Sequence, residues 1–168
     1  MQISEKLPQF TKKSLIIVTG GQSAEIYFVH KGMIDKLDSF KFENLKYSDN
    51  EGFFARGGKG MNFGYGGTLE ENKQEFIHKF LKELRVLIDK NFKEKEPENI
   101  YVFSPDYMKN DLRDSLSKEM QSKIVLSLNG NFTEVHPFDL LKKIKREIDK
   151  KRPSIISETV KKILKKNR

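Results

Sequence analysis

The residues best suited to chemistry are gathered in one stretch, Gly52-Phe-Phe-Ala-Arg-Gly-Gly-Lys-Gly-Met-Asn-Phe-Gly-Tyr-Gly-Gly67. Seven of the chain's 11 glycines fall here, interleaved with Phe53, Phe54, Phe63, Tyr65 and the cations Arg56 and Lys59. Glycine at this density opposes helix and strand alike, because each one adds backbone entropy that folding must remove. It also lets the main chain approach a partner closely, with its amides as donors beside the two cations. Two readings stay open for so long a segment without regular structure. It is either a mobile arm that presses amides and positive charge against an anionic partner, or a surface loop with no such role. A nucleotide-binding phosphate loop is excluded on spacing, since that loop needs Gly, four residues, then Gly-Lys-Ser/Thr. With Lys59 as its lysine, the first glycine falls on Phe53 and the hydroxyl on Gly60.

The second concentration is charge. The formal net charge is +8, but it is unevenly placed. Between Leu141 and Arg168, twelve Lys or Arg residues stand against three acids, so this segment carries +9 and residues 1–140 carry −1. The cations are Lys142, Lys143, Lys145, Arg146, Lys150, Lys151, Arg152, Lys161, Lys162, Lys165, Lys166 and Arg168. Such a cluster attracts phosphate backbones without regard to sequence and with strong salt dependence. It equally describes a solvated helix face. There is no cysteine, hence no disulfide, thiolate nucleophile or cysteine metal site. His30, His78 and His136 are widely spaced, and Asp106, Asp111 and Asp114 read as a solvated helix face. No metal site and no small-molecule cofactor are expected.

The elements that must position these groups follow from periodicity. At 168 residues, 36% hydrophobic and 33% charged, the chain reads as one domain with a real core. No run of 18 or more apolar residues exists, and residues 1–8 lack a charged-then-apolar leader, so a cytoplasmic home is expected. Residues 1–12 read as a polar lead-in. Ser14–Thr19 is apolar and rich in β-branched residues, a buried strand. Gly20-Gly21 turns it into an alternating strand from Ser23 to His30, and Lys31-Gly32 into a third strand from Met33 to Leu45. After the glycine-rich stretch, Thr68 and Glu71 fit a capping box, and Phe76, Ile77, Phe80, Leu81, Leu84, Leu87 and Ile88 recur at helical spacing. That predicts a helix over 69–92. Ile100–Phe103 is another strand, Ser104-Pro105 a helix start with the serine as cap, and Met108, Leu112 and Leu116 one helix face. Lys123–Ser127 is a last apolar run, Asn129-Gly130-Asn131 a turn, and His136-Pro137 opens a helix with Leu140, Leu141, Ile144 and Ile148 inward. After Pro153, Ile155–Lys166 predicts a basic amphipathic helix. The fold class is α/β, with a mixed β-sheet of an antiparallel three-strand meander plus parallel strands, flanked by helices.

In this order the pieces resemble the middle domain of archaeal and eukaryotic peptide-chain release factors and their Pelota-like relatives. They are most similar to the bacterial relatives of that domain, some of which carry the label of host attachment proteins. Three features bear the resemblance. Ile16-Ile-Val-Thr-Gly-Gly-Gln-Ser-Ala-Glu-Ile-Tyr-Phe28 looks like the opening hairpin. Arg56-Gly57-Gly58-Lys59 before the helix from Thr68 sits where release factors carry a Gly-Gly-Gln arm. Tyr101-Val-Phe-Ser-Pro-Asp-Tyr-Met-Lys-Asn-Asp-Leu-Arg113 followed by Lys123–Leu126 looks like the closing strand, helix and strand. Together they span roughly residues 14–149. The literal Gly20-Gly21-Gln22 is not the arm, because it lies between two strands as a minimal turn that cannot reach far from the body.

The resemblance implies a glycine arm, residues 52–67, that enters the ribosomal peptidyl-transferase centre, where a backbone amide helps orient water against the peptidyl-tRNA ester. Gly57 and Gly58 match the two glycines of that arm, and Lys59 stands where glutamine would be, so these are the catalytic candidates. Arg56 and Lys59 are read as phosphate contacts, and Phe63 and Tyr65 as stacking on unpaired bases or packing back on the body. The expected division is a release-factor-like domain over 1–150 and a basic C-terminal helix over 151–168. The expected function is ribosome or tRNA binding in peptide release or ribosome rescue. The alternatives are a non-catalytic interaction protein, including host-cell attachment, and, more weakly, a carboxylate-based nuclease or hydrolase.

Overall fold

The computed structural model describes the backbone of residues 1–42 and 66–151, and side chains at 1–42 and 74–150. The predicted C-terminal helix therefore lies outside the described residues, apart from Lys151 at the end of the preceding helix. Five strands, β1 (Ser14–Thr19), β2 (Ser23–His30), β3 (Met33–Lys41), β4 (Asn99–Ser104) and β5 (Ile124–Asn129), form one sheet in the order β3-β2-β1-β4-β5. The β1–β2 and β2–β3 pairs are antiparallel, and β1–β4 and β4–β5 are parallel. The helices are α1 (Gly66–Lys95), α2 (Lys109–Ser115, led by a 3₁₀ turn over Asp106–Met108), α3 (Lys118–Ser122) and α4 (Pro137–Lys151).

Alternation along the strands divides the interior in two. Leu15, Ile17, Ala24, Ile26, Ile100 and Val102 meet Ile77, Phe80, Leu84 and Ile88 of α1 and Met108, Leu112 and Met120 beneath α2 and α3. Ile16, Val18, Tyr27, Val29, Tyr101 and Phe103 meet Leu140, Leu141 and Ile144 of α4. The result is three layers, helix on sheet on helix. Both predicted turns are present. Lys31 and Gly32 take positive φ, 46° and 73°, the two-residue hairpin geometry whose twist matches the strands.

Three readings from sequence need correction. The first residues are not a loose lead-in: Ile3 and Phe10 are buried, Gln2 bridges Met33, and the Phe10 ring stands edge-on to Tyr101 at 5.5 Å. Two apolar residues scattered among polar ones carry no period, so the pattern was invisible. Ser104 does not cap a helix. It is the last residue of β4, its carbonyl accepting from the Gly130 amide at 2.9 Å, and Pro105 occupies the cap with no side-chain bond. The residue before proline is held extended, which suits a strand end. Thr68 lies inside α1, which begins at Gly66 and runs to Lys95, beyond the predicted 69–92. The structure also adds α3, capped by Ser117, whose Oγ accepts from the Met120 amide at 3.2 Å. No helix among the described residues is long and apolar enough to cross a membrane.

Tyr27 gives the fold a pH signature. Its burial, then its donation of a hydrogen bond to Glu25 Oε2 at 2.7 Å, holds the phenol far above its ordinary range. The folded state keeps this proton after the unfolded chain loses it at about pH 10, so the stabilisation is full below that pH and lost as pH rises. Tyr27→Phe should cost about 1 kcal/mol at pH 8. The gap to wild type in urea melts should close as pH climbs past about 10; a constant gap contradicts this account.

Candidate nucleic-acid interface

The strands β1, β4 and β5 run parallel, and α/β sheets use the edge formed by the carboxyl ends of such strands for binding. Thr19, fully buried, ends β1 and donates from Oγ1 to the Phe103 carbonyl at 3.2 Å, locking β1 to β4 at this edge. Gly20 follows, its amide donating to the Ser23 carbonyl at 2.7 Å to close the hairpin turn. The loop after β5 packs over it: a Cβ at Gly20 would lie 2.8 Å from Thr133 Oγ1 and 2.9 Å from its Cγ2. Thr133 in turn donates to Asn131 Oδ1 at 2.8 Å. Gly20-Gly21-Gln22 is thus a packed turn, as its flanking strands predicted.

The stem of the glycine-rich stretch meets the body at the same edge. The chain leaves the described residues after Phe42, whose amide donates to the Gln22 carbonyl at 2.8 Å, and returns at Gly66 as α1 begins. Ring contacts tie the two sides of the stem together, Phe42 to Phe76 at 5.1 Å and Phe40 to Phe80 at 5.4 Å. Farther along α1, the buried Asn91 donates from Nδ2 to Oδ2 of the half-buried Asp38 at 2.7 Å, a polar link from helix to β3. Arg56, Gly57, Gly58, Lys59, Phe63 and Tyr65 lie outside the described residues.

The basic half of the candidate interface is on α4. Pro137 sits in its first turn, and His136 Nδ1 accepts from the Phe138 amide at 3.3 Å. Leu140, Leu141 and Ile144 face the sheet, so the opposite face must carry the cations. Lys142, Arg146 and Lys150 recur every four residues there, all exposed. Lys142 pairs with Asp139 at 2.7 Å, whose carboxyl this hydrogen bond holds below its ordinary range. Lys150 pairs with Glu147 at 2.6 Å. Exposed pairs of this kind are worth little and yield readily to a phosphate. Lys143 is half-buried with Nζ 5.0 Å from the Phe132 ring centre, and Lys145 donates to the Lys6 carbonyl at 2.7 Å. These two are structural as much as available. The Lys151 side chain, Arg152, Lys161, Lys162, Lys165 and Lys166 lie outside the described residues.

The structure does not bring the two halves onto one surface. The aromatic stem belongs to the α1 layer and the cation row to the outer face of α4, across the sheet. The histidines are equally scattered: His30 ends β2, His78 is exposed on α1, and His136 sits at the start of α4. Among the described residues no three His, Asp or Glu gather as a metal would need.

A model of the Bacterial archaeo-eukaryotic release factor family 12 matches residues 12–144. The chain belongs to that family. The match takes in the whole sheet, the stem, α1 and the first half of α4, and stops before most of the basic tail. No match appears among curated proteins. Solved structures similar to this family member include Archaeoglobus fulgidus Pelota, at TM-score 0.44 and 10% identity over 95% of this chain and 36% of that one. An archaeal translation termination factor gives 0.43 and 12% over 88% and 42%, and an archaeal protein 0.43 and 11% over 90% and 42%. The chain spans less than half the length of each.

The packed turn makes a test of how firmly this edge is held. Gly20→Ala forces the new methyl against Thr133 and should destabilise the protein by about 1–3 kcal/mol in urea melts. Thr133→Ala in the same chain removes both clashing atoms and should restore most of the loss. Independent, additive losses would mean that the edge is not packed as described.

Proposed function

We propose that the chain is a cytoplasmic, translation-associated protein that binds the ribosome or a tRNA, in peptide release or ribosome rescue. The observation that carries this reading is membership in a release-factor family across residues 12–144. Two physical features support it. The glycine-rich segment is rooted at the carboxyl edge of the sheet by Phe40, Phe42, Phe76 and Phe80, a firm base for an arm that must reach outward. Lys142, Arg146 and Lys150 offer a row of exposed cations on a separate layer. A partner engaging both must be large and polyanionic, as structured RNA is.

In this reading Gly57 and Gly58 let the arm approach the RNA, and Arg56 and Lys59 contact phosphate. Lys59, where the release-factor arm has glutamine, exchanges a neutral donor–acceptor amide for a cation without acceptor capacity. The arm then contributes main-chain amides and charge, and its chemistry leans to holding RNA over orienting water. Phe63 and Tyr65 supply stacking surfaces for unpaired bases.

Co-sedimentation with ribosomes across a salt series tests the proposal. Binding should be strong at low salt and weaken steeply as salt rises. Charge reversal at Lys142, Arg146 and Lys150 together should flatten the slope of log affinity against log salt by about 2. Gly58→Ala should abolish any peptide release from a stalled complex while leaving most of the tail-driven binding. A protein that ignores ribosomes at low salt, or whose binding and release are untouched by Gly58→Ala and the triple reversal, is not acting in this way.

A further inference from the structure

The sheet has two edges, and they are defended very differently. Edge strands expose unpaired main-chain donors and acceptors, which proteins usually blunt with charge, proline or distortion. The β3 edge carries Asp35, Lys36, Asp38 and Lys41, and its first residue is bridged by Gln2. The β5 edge, Ile124-Val-Leu-Ser-Leu-Asn129, has no charge and no proline. Its one irregularity is at the start: Ile100 pairs with Ile124 and Tyr101 with Leu126, so Val125 is an extra residue that stands 46% exposed. From Leu126 to Asn129 the register is regular.

A cleft of about 230 Å³ runs beside this edge, with Ile124, Val125, Leu126 and Ser127 on one side and Lys109 and Arg113 of α2 on the other. No carboxylate lines it. Among the described residues no acid pairs with Lys109, which is half-buried, or with Arg113. The two cations are four residues apart on one helix, a spacing at which like charges repel. An incoming carboxylate relieves that repulsion and gains charge-assisted hydrogen bonds.

We propose that the β5 edge is a docking site for an extended, acidic segment of a partner protein, added to the sheet as a sixth strand with its carboxylates on Lys109 and Arg113. The observations favour this occupant over three others. An RNA strand gains nothing from an open strand edge, and no aromatic side chain lines the cleft to stack a base. A second copy paired through β5 would bring two Lys109–Arg113 pairs together. The chain's own segment beyond α4, residues 152–168, has six Lys or Arg against one acid, +5, and would be repelled. The site lies apart from the α4 cation row and does not depend on the proposed ribosome binding.

The probe is a fluorescein-labelled peptide of alternating Glu and Val, six residues long to match β5, followed by fluorescence anisotropy on the full chain. It should bind, and Lys109→Ala with Arg113→Ala should weaken it by roughly tenfold. The same peptide N-methylated at alternate residues loses the main-chain donors that a strand edge requires and should not bind, with the protein itself unaltered. A Lys-Val peptide should not bind either. The proposal is overturned if the Glu-Val peptide does not bind or if N-methylation leaves its affinity unchanged. It also fails if an oligouridine binds in its place with the same sensitivity to the double variant, or if sedimentation shows a dimer that the peptide dissociates.

Discussion

The fold depends on β1 being buried on both faces and paired on both edges. Ser14 to Thr19 are all inaccessible, Leu15 and Ile17 facing α1, and Ile16 and Val18 facing α4. Four such side chains withdrawn from water supply on the order of 1.5–3 kcal/mol each. Antiparallel pairing with β2 on one side and parallel pairing with β4 on the other makes β1 the place where two kinds of sheet meet. A strand so placed cannot slip by one residue without exchanging its two cores, so its register fixes that of its neighbours.

That register also explains why the glycine-rich segment is rooted where it is. β1 ends at the edge where β3 also ends, because two short turns reverse the chain twice. The segment after Phe42 therefore starts at the same end of the sheet as the Gly20 turn, beside the start of β2 and at the opposite edge from β5. Aromatic pairs across the stem hold this base more firmly than a hydrogen bond alone would, since each ring buries area as well as making a directed contact.

The sheet was legible in the sequence where burial is symmetric or alternation strict. β1, the two hairpin turns, β4 and the inward face of α4 follow from β-branched runs, glycine pairs and 3.6-residue spacing. Other parts lacked a periodic signal. Ile3 and Phe10 are held by tertiary contacts that no local pattern announces. Ser104 could be read as a cap because serine before proline favours that role, but strand pairing with the Gly130 loop outweighed it. Within the candidate site, the cations of α4 were all visible as a cluster. The structure separates Lys143, stacked on Phe132, and Lys145, bound to a carbonyl, from Lys142, paired only with its helix neighbour Asp139, and Arg146. Lys109 and Arg113 gave no signal in the sequence because Asp106, Asp111 and Asp114 lie between and beside them, and charge counting does not show that none of these acids lines the β5 cleft.

The distribution of charge bears on what kind of recognition the scaffold suits. A small anion would need its cations convergent, and here Lys142, Arg146 and Lys150 lie in a row about 12 Å long on α4. Phosphates on a nucleic-acid backbone are spaced along such a length; a single phosphate group is not. The glycine-rich segment leaves from the other layer, so contact through both would clasp the partner across the carboxyl edge, with the sheet as spacer. Two weak contacts reinforce each other to the extent that the length and stiffness of what joins them match the span between their targets. The interlocked Gly20, Asn131 and Thr133 packing, together with the Thr19–Phe103 bond, supplies rigidity at the edge where the chain enters and leaves the glycine-rich segment.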